Sequence, residues 1–145
     1  MIQNEPISNK LKLITNLYTK VIEREHYQSE MSYHFDVLLA IYQNEGTMSQ
    51  QKLADLLLID KPHLLSIVYH LSAEGLIDVE NNITDRSDNF LFLTQKGMNN
   101  IRSINQAAVI LNERITAGIE ASKLSAFFEV LSALECNLKE EYKVA

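Results

Sequence analysis

The chain has 145 residues, 46% hydrophobic and 22% charged, with a net charge of −6 and a single cysteine, Cys136. That size and balance suit one globular domain with its own core; they exclude an intrachain disulfide and a four-cysteine zinc site, and no apolar run approaches the roughly 20 residues that span a bilayer. The opening MIQNEPISNK lacks the apolar stretch of a secretory signal, so the expected location is the cytoplasm, with no membrane partner.

Residues 7–26 carry Leu11, Ile14, Leu17, Tyr18, Val21 and Ile22 at the spacing of one helical stripe. HYQSEMS breaks that pattern. A second helix is predicted over roughly 32–44, on Phe35, Leu38, Leu39, Ile41 and Tyr42, with Gly46 as its stop. Ser49 suits the N-cap of a short helix over 50–57. Asp60 suits the cap of the next, which puts Pro62 in the first turn, where a missing N–H does no harm. That helix runs to about Ala73 with Leu64, Ile67, Val68 and Leu71 on one face, and Gly75 ends it.

The character then changes. Leu76-Ile77-Asp78-Val79 and Phe90-Leu91-Phe92-Leu93 are short β-prone runs around ENNITDRSDN, which is polar as a hairpin loop should be. Thr94 restarts helix, patterned on Ile101, Ile104, Ala108, Leu111 and Ile115 and interrupted near Gly118. A last helix over 122–142 carries Leu124, Phe127, Phe128, Leu131, Leu134 and Leu138. Within it Cys136 reads as a small, buried apolar residue. The predicted fold is therefore mainly α, a winged helix-turn-helix of about six helices with a two-stranded hairpin wing.

The second helix of such a pair can enter a major groove about 12 Å wide, and the wing can reach the adjacent minor groove. Opposite its apolar face lie His63, Ser66, Tyr69, His70 and Ala73, with Lys61 in the first turn. Hydroxyl and imidazole groups suit base edges and Lys61 suits a phosphate. Gln50 and Gln51 begin the preceding helix, whose N-terminal amides can also hold phosphate. In the wing Arg86 is the only cation, and Asn81 and Asn82 can donate hydrogen bonds. Each has a plainer alternative: His63 and His70 as solvated surface residues, Tyr69 packed over the helix edge, Arg86 paired with Asp85 or Asp88 to hold the wing's shape.

QKLADLLLIDKPHLLSIVYHLSAEGLIDVE, then TDRS, then FLFLTQKG follow one another within about 50 residues. Leu71-x-x-x-Gly75-Leu76-Ile77, Asp85-Arg86 and Leu93-Thr94-x-x-Gly97 stand there in the order and approximate spacing of the MarR family, which the chain resembles over essentially its whole length. The resemblance implies a single MarR-like domain over 1–145, with a winged helix-turn-helix lobe at 47–97 and dimerisation helices at 1–30 and 98–145. It implies a ligand-responsive repressor that binds a palindromic operator in double-stranded DNA as a homodimer. MarR-like proteins often hold small aromatic or anionic effectors in the cleft between the dimer and DNA lobes. Tyr18, His26, Tyr33 and His34, near the junction of the first two helices, are candidate lining residues, with ordinary packing or surface positions as the alternative.

The first and last helices each carry an apolar stripe that a winged motif alone cannot cover. A twofold dimer with interleaved ends covers both. Leu11, Phe127, Phe128, Leu131, Leu134 and Leu138 are the candidate interface residues, with intrachain packing as the alternative. Such a dimer would hold two recognition helices about one DNA turn apart, roughly 34–36 Å.

Three positions depart from the family pattern. The arginine usual after the Asp-Arg pair is Ser87, an arginine frequent on the recognition helix is Ser66, and a turn glycine often seen between the two helices is Leu58. The 47–97 lobe is acidic as well: Lys52, Lys61, Arg86 and Lys96 face Asp55, Asp60, Glu74, Asp78, Glu80, Asp85 and Asp88. Few phosphate contacts mean weak, shallowly salt-dependent DNA binding, and protonation of His63 and His70 would add positive charge. A second expectation follows, a winged-helix interaction module with weak or lost DNA binding that engages a protein partner. No phosphate-binding loop or nucleophile elbow is present, so no enzyme and no cofactor are expected. His26, Glu30 and His34 have helical spacing, but the intervening HYQSEMS reads as a break, and no metal site is expected.

Overall fold

A computed structural model describes residues 4–25, 31–85 and 87–144. Among them run α1 (Ile7–Glu25), α2 (Met31–Gln43), β1 (Thr47–Ser49), α3 (Gln50–Leu57), α4 (Lys61–Ala73), β2 (Ile77–Asn81), β3 (Asn89–Leu93), α5 (Gln95–Thr116) and α6 (Ala121–Val144). This is the expected winged helix-turn-helix.

Local chemistry sets the boundaries. Ser49 Oγ accepts from the Lys52 amide at 3.1 Å and caps α3; Asp60 Oδ1 accepts from the His63 amide at 2.8 Å and caps α4. Pro62 falls in the first turn of α4 as expected. After α4 the chain turns back through Gly75 at φ +73°, and the Leu76 amide donates to the Leu71 carbonyl, a Schellman-type stop that glycine permits.

The expected hairpin wing is present as β2 and β3. It gains a third strand that the sequence did not suggest, making an antiparallel sheet in the order β1-β3-β2. Met48 pairs with Leu91 on one side of β3, while Val79 pairs with Leu91 and Ile77 with Leu93 on the other. Thr47–Ser49 is too short to show a period of two. It becomes a strand because β3 offers it a free edge across more than 40 positions of chain, a pairing that no local pattern announces. As the central strand, β3 buries Leu91 completely.

The core joins Val37, Leu38 and Ile41 of α2, Leu53 of α3, Leu64, Ile67, Val68 and Leu71 of α4, Leu76 and Ile77, Leu91 of β3 and Ile101 of α5. The expected stripe of α4 is thus core. The chain divides into two compact units, Met1–Val109 and Ile110–Ala145. In the second, α6 buries no residue at all. Cys136 is accordingly exposed and not the buried residue its apolar neighbours suggested, because the helix around it has no covering layer. No described helix is long and apolar enough to cross a membrane.

Candidate functional site

Burial of Leu64, Ile67, Val68 and Leu71 turns the other face of α4 outward. Lys61, His63, Ser66, Tyr69 and His70 are all exposed there. Tyr69 is 71% exposed, with its ring edge-on to His70 at a centroid separation of 5.8 Å. Most of the Tyr69 ring is therefore open to solvent, and its contact along the helix is with His70. This face therefore presents one cation, two imidazoles and two hydroxyls on a short, firmly seated helix.

The wing is tied to the starts of both helices of the motif. The Gln51 amide, in the first turn of α3, donates to Asp88 Oδ1 at 3.0 Å. Lys61 Nζ donates to the Ser87 carbonyl at 3.4 Å. The amide proposed for a phosphate thus holds a carboxylate of the same chain, and the cation proposed for a phosphate leans on the wing. Gln50 is only 8% exposed, so its side chain is withdrawn from the open face where the sequence placed it; Gln51 stays exposed and bonds Asp55 through Nε2 at 3.0 Å. The crevice these residues leave, about 10 Å³, is no larger than one water.

The wing turn is built from its own side chains. Asn82 Oδ1 accepts from the Thr84 amide and hydroxyl, at 3.0 and 2.7 Å, so its oxygen shapes the loop. Asn81 is exposed at the end of β2, paired with Asn89. Asp85 Oδ1 accepts from the Ser87 hydroxyl at 2.6 Å and the Ser87 amide at 3.0 Å. These two bonds, with a smaller contribution from Lys61, hold the Asp85 carboxyl below its usual range. Ser87, which stands where the family has an arginine, is therefore part of the turn. Arg86 lies outside the described residues.

A second feature lies in the first unit. A cavity of about 320 Å³ is walled by Ile14 and Ile22 of α1, Phe35 of α2, and Ile104 and Ala108 of α5. Its polar lining is Thr15, Tyr18 and Thr19 on α1 and Asp36 on α2. Tyr18 Oη donates to the Ala108 carbonyl at 3.1 Å, and burial pushes its hydroxyl pKa up. Of the four expected effector residues, Tyr18 lines this cavity. His26 lies outside the described residues, as do the side chains of Tyr33 and His34. Sequence reasoning missed Thr15, Thr19 and Asp36. The i, i+4 spacing of Ile14, Tyr18 and Ile22 marked the helix face, but nothing local said that α5 would close over it.

The apolar stripes are left uncovered in the single chain. On α1, Leu11, Ile14 and Leu17 are exposed and only Ile22 is buried. On α6, Phe127 and Phe128 stack edge-on at 5.5 Å, exposed together with Leu138, while Leu131 and Leu134 are half-buried.

Residues 31–86 match the family model described as MarR family. The fold is shared with a SlyA-like transcription regulator from Listeria monocytogenes, at a TM-score of 0.83 and 22% identity over 94% of this chain and 91% of that one. A MarR family transcriptional regulator from the same organism, complexed with a 26mer DNA, superposes at 0.82 with 22% identity, over 94% and 91% of the two chains. The PcaV transcriptional regulator of Streptomyces coelicolor, in complex with its natural ligand, superposes at 0.75 with 19% identity, over 93% and 96%. Residues 31–86 therefore belong to the MarR family, and the chain that carries them has the fold of MarR transcriptional regulators.

Proposed function

We propose that the chain is a DNA-binding transcriptional regulator, a repressor that acts in the cytoplasm as a homodimer on a palindromic operator and responds to a small ligand. The observation that carries this reading is the outward face of α4, where Lys61, His63, Ser66, Tyr69 and His70 are exposed above a buried apolar stripe. A helix so mounted can lie in a major groove, where hydroxyl and imidazole groups meet base edges and a lysine meets a phosphate. The similar Listeria fold seen with DNA supports the same use of this one.

The dimer rests on the uncovered stripes. A 24-residue helix with no buried residue, bearing exposed Phe127, Phe128 and Leu138, needs a partner surface. A second copy supplies it for α6 and for Leu11, Ile14 and Leu17 of α1. The ligand rests on the cavity beside Tyr18, whose volume falls within the roughly 300–1,000 Å³ of small-molecule sites, and on the ligand-bound relative.

A second reading is favoured by one contact. With Asp88 on the Gln51 amide, the start of α3 is already satisfied, and an acidic winged lobe that binds a protein partner becomes the alternative. A mobility-shift assay against the chain's own upstream region separates the two. The regulator retards that fragment in preference to a scrambled one at moderate salt; the interaction module retards both equally or neither.

A further inference from the structure

The cavity between α1, α2 and α5 has a chemistry that narrows what it can hold. Its walls are hydrocarbon from Ile14, Ile22, Phe35, Ile104 and Ala108, which suit a compact apolar body. Asp36 is the one charged group among its described lining residues, and it is exposed, which sets its carboxylate where the cavity meets solvent. The remaining polar groups are the hydroxyls of Thr15, Tyr18 and Thr19. Tyr18 directs its proton to the Ala108 carbonyl. No described arginine, lysine or histidine lines the space.

An anionic occupant would meet no described cation there and lie near a like charge. A cationic occupant would bury its apolar part against the isoleucines and Phe35 and keep its charge at Asp36. Attraction of one charge combined with repulsion of the other is how binding sites separate ligands of equal shape.

We propose that the cavity binds a hydrophobic ammonium compound, an aromatic or alkyl amine, and that Asp36 sets this preference. The proposal rests on the ligand-responsive reading above; of the small aromatic or anionic effectors that the resemblance implied, it keeps the aromatic body and reverses the charge.

The test uses matched pairs on the full chain: 2-phenylethylamine against phenylacetate, and tryptamine against indole-3-acetate, by titration calorimetry. The amine of each pair is expected to bind about tenfold or more tightly than its carboxylate, the scale of one charge-assisted hydrogen bond. Asp36→Asn should reduce that ratio to near one while circular dichroism and the melting temperature stay unchanged. Carboxylates that bind as tightly as the amines overturn the charge preference and leave the cavity as a ligand site. Failure of all four compounds to bind overturns both. Repeating the mobility-shift assay with bound amine keeps the two questions apart: tight amine binding with unaltered DNA affinity upholds this proposal and removes the ligand-responsive reading.

Discussion

The backbone amide of Gln51 donates to Asp88 Oδ1 at 3.0 Å, joining the first turn of α3 to the returning arm of the wing. A carboxylate there meets the positive end of the helix dipole, as a DNA phosphate would. In the proposed DNA complex Asp88 and a phosphate would compete for that place. Asp88→Asn, which keeps the shape and removes the charge, is expected to raise duplex affinity about fivefold to tenfold, the scale of one helix-terminus charge in each half of a dimer. Fluorescence anisotropy at fixed salt measures it; unchanged or weaker binding would show that the contact does not face DNA.

The Leu-Thr-x-x-Gly run has a specific structural reason. Thr94 Oγ1 accepts from the Gly97 amide at 3.0 Å and donates to the Gly75 carbonyl at 2.6 Å, so one hydroxyl caps α5 and anchors the turn after α4. A Cβ on Gly97 would lie 2.0 Å from the Leu76 carbonyl oxygen. Gly97→Ala must push α5 off the start of β2 and is expected to cost about 3 kcal/mol or more, at the upper end of overpacking. Thr94→Ala should cost about 1 kcal/mol. Urea unfolding gives both values, and equal, small effects would contradict the account.

Leu58, at the end of α3, adopts a left-handed conformation, φ 54° and ψ 40°, with its side chain exposed. A branched residue there is strained by about 1–2 kcal/mol and gains little packing in return. Leu58→Gly, despite its greater unfolded-state freedom, should stabilise the protein by a few tenths to about 1 kcal/mol. A lower melting temperature in the variant would mean that the leucine packs against something the single chain does not contain.

How much of this was legible in the sequence depended on how local its cause was. The bounds of α3 and α4 could be read because Ser49, Asp60 and Pro62 act within three residues of where they stand. The apolar face of α4 showed in its own period. Strand β1 did not, since Thr47–Ser49 takes its conformation from Phe90–Phe92. The withdrawal of Gln50 and the occupation of the Gln51 amide were equally out of reach. The second depends on a wing that folds back from 37 positions away. The cavity is assembled from α1, α2 and α5, so only Tyr18 could be found from a single helix, and Asp36 could not.

Phe128 is 62% exposed on a helix with no fully buried residue. If a twofold partner covers α6, Phe128→Ala acts twice, at about 1.5–3 kcal/mol each, and should raise the dimer dissociation constant by about two to four decades. Sedimentation velocity across a dilution series reads this directly. A wild-type chain that sediments as a monomer throughout would remove the dimer.

The central claim is that two copies of α4 enter successive major grooves on one side of a duplex. Hydroxyl-radical footprinting of the retarded upstream fragment tests it most directly. Two protected patches are expected with centres about one helical turn apart, roughly 34–36 Å, and Tyr69→Ala should weaken both together. A single protected patch, or protection that survives loss of Tyr69 and Ser66 side chains unchanged, would contradict it.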